Sequence, residues 1–586
     1  MNMNKTSIVI LTYNKLEFTI DCIESIREYT TQGTYEIIVV DNASTDGSRE
    51  WLSEQMDIIT IFNDENYGFP KGCNQGIEVA TGENILLLNN DVIVTTNWLD
   101  NLLLALNSSA EVGAVGAISN ECTYYQNISV NYTNIEEMQE FAKKINIHNP
   151  SEWEQRIKLV GFCMLIKRGV INEIGILDEI FSPGNFEDDD YSFRIMQAGY
   201  RLLLCKDTFV HHHGHATFSV DSRSFYNILE QNALKFKEKW NFDSSDSANI
   251  RFDVVQLVDT SPLEPIKVLE VGCGCGGTLL EIKNRYKDAD LYGIELNGNS
   301  AAIASLFANV SSSNVEHQLE YPENFFDYII LPDILEHLID PWSVLKNLKK
   351  HLKNKGKLIT SIPNVMHYSV LRDTLQGRWK YTEAGLLERT HLRFFTIYEI
   401  QEMFQDAGFV DLSYKGNIIP IPEEDEEFIL KLGNLGGSSF EQQYRVYQWL
   451  VKAEKNDPIY TIGNSVKGVD LTSLQEMDFT EIVVLIKTNN LSSSEIITVV
   501  EEYAQEKQAT YNLLAISLYN ERMFDHIIPL LSQSLSIDSS HMETLYNLGH
   551  ILYEANEKEL ALEYLQQIAV KDKATQDLIN EIMSLY

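Results

Sequence analysis

Basic residues are in short supply: 46 Lys and Arg stand against 85 Asp and Glu, a formal net charge of −39 over 586 residues. Affinity for a phosphate backbone depends on clustered cations that release counterions, so nucleic acid and anionic membrane are not expected partners. The many acids read as a solvated surface. Also missing is any apolar run approaching the ~20 residues of a membrane span, and Met1-Asn2-Met3-Asn4-Lys5 leads directly into a strand pattern with no signal-peptide core. A cytoplasmic protein without an integral membrane segment is expected. Cysteine is sparse and odd in number, 7 scattered residues, which fits reduced thiols better than a disulfide framework.

What the chain does have is enough apolar (44%) and aromatic (10%) content for packed interiors, at a length that suggests roughly three compact cores. From Ile8 to about Trp240, buried-strand runs such as Ser7 to Leu11, Glu36 to Val40 and Ile85 to Leu88 alternate with amphipathic stretches such as Leu16 to Tyr29, an α/β pattern. A polar, proline-bounded stretch follows, and Lys267 to Val271 opens a second α/β unit. Beyond about Asn417 the strand signal fades and the chain reads as helical. The expected division is 1–245, 250–415 and an all-α region 420–586.

Ligands of open α/β sheets bind at strand ends, so polar residues there carry weight. The first strand ends in Thr12-Tyr13-Asn14, the second in Asp41-Asn42, and the run Ile85 to Leu88 in Asn89-Asn90-Asp91, with Asn66-Tyr67-Gly68-Phe69-Pro70-Lys71 between. Asp41 can accept hydrogen bonds from a nucleoside base or ribose. Asp91 offers a hard oxygen ligand to Mg²⁺ or Mn²⁺ bridging a diphosphate. In their order and spacing these segments resemble family 2 glycosyltransferases of the rhamnosyltransferase-like kind, across residues 6–220.

That resemblance implies a GT-A fold, a nucleotide-sugar donor and Asn89-Asn90-Asp91 as a variant Asp-X-Asp motif, with Thr12, Asn14, Asp41, Asn42, Asn66, Lys71 and Asn90 around the donor. It also implies that Asp188, in Phe186-Glu187-Asp188-Asp189-Asp190, is the base that deprotonates the acceptor hydroxyl for an inverting displacement. From His211-His212-His213-Gly214-His215-Ala216-Thr217 it implies His212 as the metal histidine, five before Thr217, with His211 and His213 as alternatives.

In the second unit, Glu270-Val271-Gly272-Cys273-Gly274-Cys275-Gly276 follows a strand and precedes a helix, and Glu295 ends the next strand. Glycines permit a tight turn close to a nucleoside-bearing ligand, and an acid about twenty residues on can hold both ribose hydroxyls. An NAD-type site makes the same demands. Downstream, Leu335-Glu336-His337-Leu338-Ile339-Asp340-Pro341-Trp342, Gly356 to Asn364 and His391-Leu392-Arg393-Phe394-Phe395-Thr396 resemble class I S-adenosylmethionine-dependent methyltransferases over 265–415. By that resemblance Glu270, Gly272, Gly274, Gly276 and Glu295 would hold S-adenosylmethionine. Methyl transfer to oxygen needs a base or a metal, and His337 or His391 could take the proton.

In the last stretch Leu514, Ala515, Leu518, Ile527 and Leu531 recur 34 positions later as Leu548, Gly549, Leu552, Ala561 and Leu565. That is the period of the tetratricopeptide repeat, which the segment 508–575 resembles; an unrelated helical bundle is the alternative. The expected whole is an inverting glycosyltransferase acting on a surface-glycan or protein-glycan acceptor, flagellin-like proteins among them. The second unit would O-methylate the glycan at an independent site, and the tail would hold an acceptor or protein partner. The rival expectation keeps catalysis in the first domain and makes the rest a binding scaffold.

Overall fold

The computed structural model describes residues 5–214, 222–436 and 441–585, which form two compact units, 1–454 and 455–586. The first unit is built on two sheets. Strands β1 (Thr6–Thr12), β2 (Tyr35–Asp41), β3 (Ile58–Phe62), β4 (Asn84–Asn89), β6 (Val112–Ile118), β7 (Trp153–Arg156), β8 (Cys163–Lys167) and β9 (Arg201–Phe209) make an eight-stranded sheet in the order β3-β2-β1-β4-β8-β6-β9-β7, and the two-residue strands β5 (Val92–Ile93) and β10 (His211–His212) pair beside it. The runs of Val, Ile and Leu at its centre arise because both faces are covered. Ile8, Ile10, Ile37, Val39, Leu86 and Leu88 point into one core and Val9, Ile38, Ile85 and Leu87 into the other, the alternation that strand geometry imposes. Parallel pairing of β1 with both β2 and β4 brings Thr12 level with Asp41 and Leu11 level with Asn89. The polar strand ends thereby meet at one edge.

The second sheet comprises β11 (Lys267–Val271), β12 (Asp290–Ile294), β13 (Asn309–Ser311), β14 (Phe326–Pro332), β15 (Leu352–Pro363), β16 (Phe409–Asn417) and β17 (Gln448–Lys455), in the order β13-β12-β11-β14-β15-β17-β16. Here the expected division needs correction. The stretch from 420 is not wholly helical, because β17 inserts antiparallel beside β15, Lys357 opposite Glu454 through Pro363 opposite Gln448. Leu450, Val451 and Ala453 are buried, so this distant strand closes the second sheet's core.

Nor are the first two domains separated by a free linker. One hydrophobic cluster runs from Val9 and Leu87 through Phe193, Trp240 and Phe242 to Ala248, Cys275, Leu280 and Ile303. Arg156 donates to Glu281 at 2.9 Å with both side chains 4% exposed, and Gln155 and Asn284 exchange hydrogen bonds between backbone and side-chain amide. An ion pair this deep is costly to break from one side, because the survivor stays buried and uncompensated.

The second unit, taken by itself, is a run of helices. Lys507–Asn520 packs on Ile527–Ile537, and Met542–Glu554 on Lys558–Gln567. The ten residues matched at the 34-residue period are all buried or close-packed: Leu514, Ala515, Leu518, Ile527 and Leu531, then Leu548, Leu552, Ala561 and Leu565, with Gly549 so near its neighbour that an added Cβ would stand 2.5 Å from Leu565 Cγ. All seven cysteines are free thiols. Among the described residues no helix is long and apolar enough to cross a membrane.

Candidate active sites

At the polar edge of the first sheet lies a cavity of about 770 Å³, lined among others by Phe69, Asn89, Tyr124, Lys158, Gly161, Glu187, Asp188 and His212, and by Ser245 and Asn249 from the segment that leads into the second sheet. Its metal-competent corner is made by strand pairing. Antiparallel β5 and β10 set His212 opposite Val92, and His212 Nε2 comes within 3.2 Å of Asp91 Oδ1. The ring is held from behind: Nδ1 lies 2.7 Å from the Glu121 carbonyl and the face stacks on Phe162. That carbonyl contact fixes Nδ1 as the donor and turns Nε2 toward Asp91. The other histidines have different company. His211 Nδ1 pairs with the Tyr132 hydroxyl at 2.6 Å, and His213 packs on Phe18. Thr217, from which the histidine was counted, lies outside the described residues. Asn89 Oδ1 is buried and unpartnered beside this corner, so a hard divalent cation fits the donor set present.

The four consecutive acids part company on the helix Glu187–Gln197. Asp190 is taken by Arg194, Lys239 and the Trp240 indole N–H. Asp189 is clamped by Lys158 at 2.8 Å and by the Ser244 hydroxyl. Asp188 is left facing the cavity, its Oδ2 accepting from the Gly161 N–H at 2.9 Å and its Oδ1 from the Asp189 N–H at 3.0 Å. Burial and then the charge of Asp189 push the Asp188 carboxyl up to about 6, against the pull of Gly161 and Lys158. Glu187, also in the cavity wall, is pushed up by burial and by Asp188, and its Oε2 has no partner. The segment Asn185-Phe186 before this helix has φ of 75° and 74°, a backbone setting uncommon outside glycine.

The Asp188 environment sets a pH dependence. With Asp188 as the base, a carboxyl raised to about 6 would be ionised only above that value, and kcat/KM is then expected to fall tenfold per unit below about pH 6. A pH profile whose acid limb sits near 4, the ordinary carboxylate value, would show that the base is another group.

The donor-side residues divide into two groups. Asp41 is fully buried, one oxygen engaged by the Ser44 N–H and Arg49 while Oδ1 has no partner; an orphaned acceptor at a strand end fits a nucleoside. Asn14, at φ 59°, accepts from the Thr45 N–H and takes the Ser44 hydroxyl on its own N–H, shaping the rim. Lys71 sits over the Tyr67 ring at 3.7 Å. Thr12 and Asn90, by contrast, bond to each other and to Thr19 inside the sheet. Asn42 and Asn66 belong to an amide network with Asn63 that holds the loop to Gly68. Thr12, Asn42 and Asn90 are buried in these contacts, and Asn66 stays exposed. Lys158, Gly161, Ser245 and Asn249, none of them singled out by the sequence, line it.

At the second sheet, Gly272, Gly274 and Gly276 all have positive φ (71°, 52° and 84°), and the Gly274 N–H donates to Glu295 at 2.8 Å. The glycine turn and the acid of the following strand thus form one structure. Glu270 Oε2 is buried without a partner, and burial pushes its carboxyl up to about 8. An orphaned acid under a glycine turn fits a cationic, ribose-bearing cofactor. His337 and His391 lie ring to ring, centroids 4.8 Å apart, at the end of β14. The arm that carries His391 is tied down by the Leu392 and Arg393 N–H groups, both donating to the Glu336 carbonyl.

Residues 7–175 match the family model described as glycosyl transferase family 2, and residues 247–414 the model described as a methyltransferase domain. The chain carries both domains. Among curated relatives, it is 24% identical over 233 residues to the O-antigen biosynthesis protein RfbC of Myxococcus xanthus, covering 37% of this chain and 18% of that one. It is 25% identical over 212 residues to the glycosyltransferase GlyG of Streptococcus pneumoniae, covering 34% and 68%. Phosphoethanolamine N-methyltransferase 3 of Arabidopsis thaliana is 32% identical over 208 residues, covering 32% and 39%. The chain therefore spans less than two fifths of the length of RfbC and of the plant methyltransferase.

With both domains placed, one segment is seen to adjoin both of their sites, which bears on their expected independence. The segment Ser244–Ile250 is a shared wall. On one side Ser245 and Asn249 line the sugar-domain cavity, with Tyr124 and Tyr125 hydroxyls donating to Ala248 O and Asn249 Oδ1. On the other, the Cys275 N–H of the glycine turn donates to Ser247 O at 2.7 Å, and a Cβ on Gly274 would meet that oxygen at 2.6 Å. Gly274→Arg is thus expected to lower sugar transfer as well as methyl transfer, the former by up to about 10²-fold, the scale of an ångström's misplacement in a site. Both activities of the folded variant, measured side by side, check this; unchanged sugar transfer restores two independent sites.

Proposed function

We propose that the first domain is a metal-assisted, inverting glycosyltransferase that moves a sugar from a nucleotide-sugar donor to a surface-glycan or protein-glycan acceptor, flagellin-like proteins included. The observation that carries the reading is one cavity lined by both Asp188 and His212, the latter with its Nε2 3.2 Å from Asp91 Oδ1. Asp91 and His212 would hold Mg²⁺ or Mn²⁺, which when bound neutralises the charge of a departing diphosphate. Asp41 and Asn14 would seat the nucleoside end of the donor. Asp188, ionised above about pH 6, takes the acceptor hydroxyl proton, and attack opposite the diphosphate inverts the sugar carbon. Glu187 and Lys158 orient the groups around that carboxylate. The aromatic wall, Phe69, Tyr124 and Phe162, presents apolar faces to a sugar ring.

The second domain we read as an O-methyltransferase acting on the same glycan. Glu270, the three glycines and Glu295 would hold S-adenosylmethionine, and His337 with His391 would activate the hydroxyl. The helical unit, with its tetratricopeptide-like period, is the candidate surface for an acceptor or protein partner.

The test is direct. Purified protein is supplied with UDP-, dTDP- and GDP-sugars and Mn²⁺, and donor turnover and the anomeric configuration of the product are read by NMR. One donor class consumed with inversion supports the reading; retention, or no turnover of any class with glycan acceptors present, overturns it.

A further inference from the structure

The end of β14 carries a cluster whose chemistry a general base does not account for. The backbone leaves the sheet at Asp333, with φ of 54°, and closes one tight turn, Leu335–His337. That turn buries Glu336 to 1% exposure and leaves both of its carboxylate oxygens without a hydrogen-bond partner. A buried carboxylate with neither oxygen satisfied carries one of the largest desolvation penalties a fold can contain. The nearby guanidinium of Arg251 contributes favourable charge but no hydrogen bond, being engaged by Asp253 and Asp333.

Two imidazoles complete the cluster. One ligand atom from each of Glu336, His337 and His391 lies within 4.8 Å of the others, a span that a single ion can bridge with small side-chain adjustments. Both rings are turned by the same device: His391 Nδ1 faces the Leu386 carbonyl at 3.1 Å and His337 Nδ1 the Thr390 carbonyl at 3.3 Å. A backbone carbonyl can only accept, so Nδ1 carries the proton in each ring and Nε2 keeps its lone pair. This is the outer support that metal-binding histidines have. A second carboxylate is within reach, with Glu388 Oε2 3.9 Å from His391 Nε2. The arm bearing both His391 and Glu388 docks on the backbone carbonyl of Glu336 itself, so the ligands are brought together by the fold and not by chance exposure.

We propose that Glu336, His337 and His391 form a second metal site, distinct from the Asp91–His212 corner, that binds a divalent first-row transition ion such as Zn²⁺ or Mn²⁺. Two imidazole nitrogens and one carboxylate oxygen suit that class of ion, and they leave coordination positions open. The site sits on the loop that reaches the glycine turn: Ile334 is the residue a Cβ on Gly272 would strike, at 2.3 Å. An ion held there would therefore lie close to the methyl-donor side, where it could take a hydroxyl of the acceptor. That last assignment rests on the methyl-transfer reading; the metal site itself does not.

The experiment uses the full chain with Asp91→Ala, which removes the first cavity's ligand, stripped of metal and titrated with Co²⁺ as the probe. One ion per chain is expected, with d–d absorption of nitrogen and oxygen ligation and a rise in melting temperature on binding. Adding His337→Ala, His391→Ala or Glu336→Gln should weaken binding by at least about 100-fold, more than the 10–100-fold typical of an outer-support change, and abolish the thermal shift. The isosteric Gln variant, with the apo-protein melting temperature as its check, guards against loss through misfolding. Undiminished Co²⁺ binding in the folded Gln and Ala variants, or none in the Asp91→Ala chain, overturns the site. S-adenosylmethionine binding is measured separately by calorimetry. If it is absent while Co²⁺ binds, the methyl-transfer reading fails and the metal site stands; if it is present without Co²⁺ binding, the reverse holds.

Discussion

Asp188→Asn is expected to keep donor binding and lose turnover by roughly 10²–10⁴-fold, the contribution of a positioned base. The amide preserves the shape, and the acceptances from the Gly161 and Asp189 N–H groups can be kept by its one oxygen in part. The proton acceptor is what disappears. Neighbouring carboxylates cannot substitute, since Asp189 is paired with Lys158 and Ser244 and Asp190 with Arg194 and Lys239. Glu187 is disfavoured as a substitute because burial and Asp188 both oppose its ionisation. Donor affinity by calorimetry and single-turnover rates separate the two effects. Weakened donor affinity at an unchanged rate would make Asp188 a positioning residue and move the base elsewhere.

The companion expectation is that Asp91→Ala removes metal-dependent sugar transfer, a loss on the order of 10³-fold or more if the cation supplies the several kcal/mol usual for charge stabilisation. His212 alone, even held by the Glu121 carbonyl and Phe162, offers one neutral nitrogen to a hard cation, which prefers oxygen. The fold should survive, because the local strand pairing runs through backbone: the His213 N–H still donates to the carbonyl of residue 91. Mn²⁺ binding followed by electron paramagnetic resonance provides a readout independent of turnover. Transfer that persists in this variant with EDTA present would falsify the metal-assisted mechanism.

Much of the first site is legible in the amino-acid sequence because its residues end apolar strands. Ile8–Ile10, Ile37–Val40 and Ile85–Leu88 are buried throughout, so the first polar residue beyond each run must sit at the sheet edge, where Thr12, Asp41 and Asn89 are. Which of those residues faces a ligand is not legible there. Thr12 and Asn42 look as available for chemistry as Asp41 does, and only the partners Thr19, Asn63 and Gly68, brought in from elsewhere, turn them inward. The acid run shows the same limit, since apart from Arg194 the partners that consume Asp189 and Asp190 lie 31 to 55 residues from them at Lys158, Lys239, Trp240 and Ser244. Strand β17 is hidden for a related reason. Gln448–Lys455 is a short run set among helices, and what makes it a strand is the open edge of β15, a tertiary fact.

The Ser244–Ile250 segment carries a thermodynamic consequence. Because the same few residues close one cavity and buttress the glycine turn of the other, any ligand that shifts this wall on one side alters the free energy of binding on the other. Linkage makes the effect reciprocal: the factor by which an occupied sugar-domain cavity changes affinity at the glycine turn must equal the factor in the opposite direction. Two titrations, each ligand measured in the presence and absence of the other, therefore have to agree. A ligand-driven shift of that segment would make the fusion of the two domains a two-way signal of equal strength in each direction.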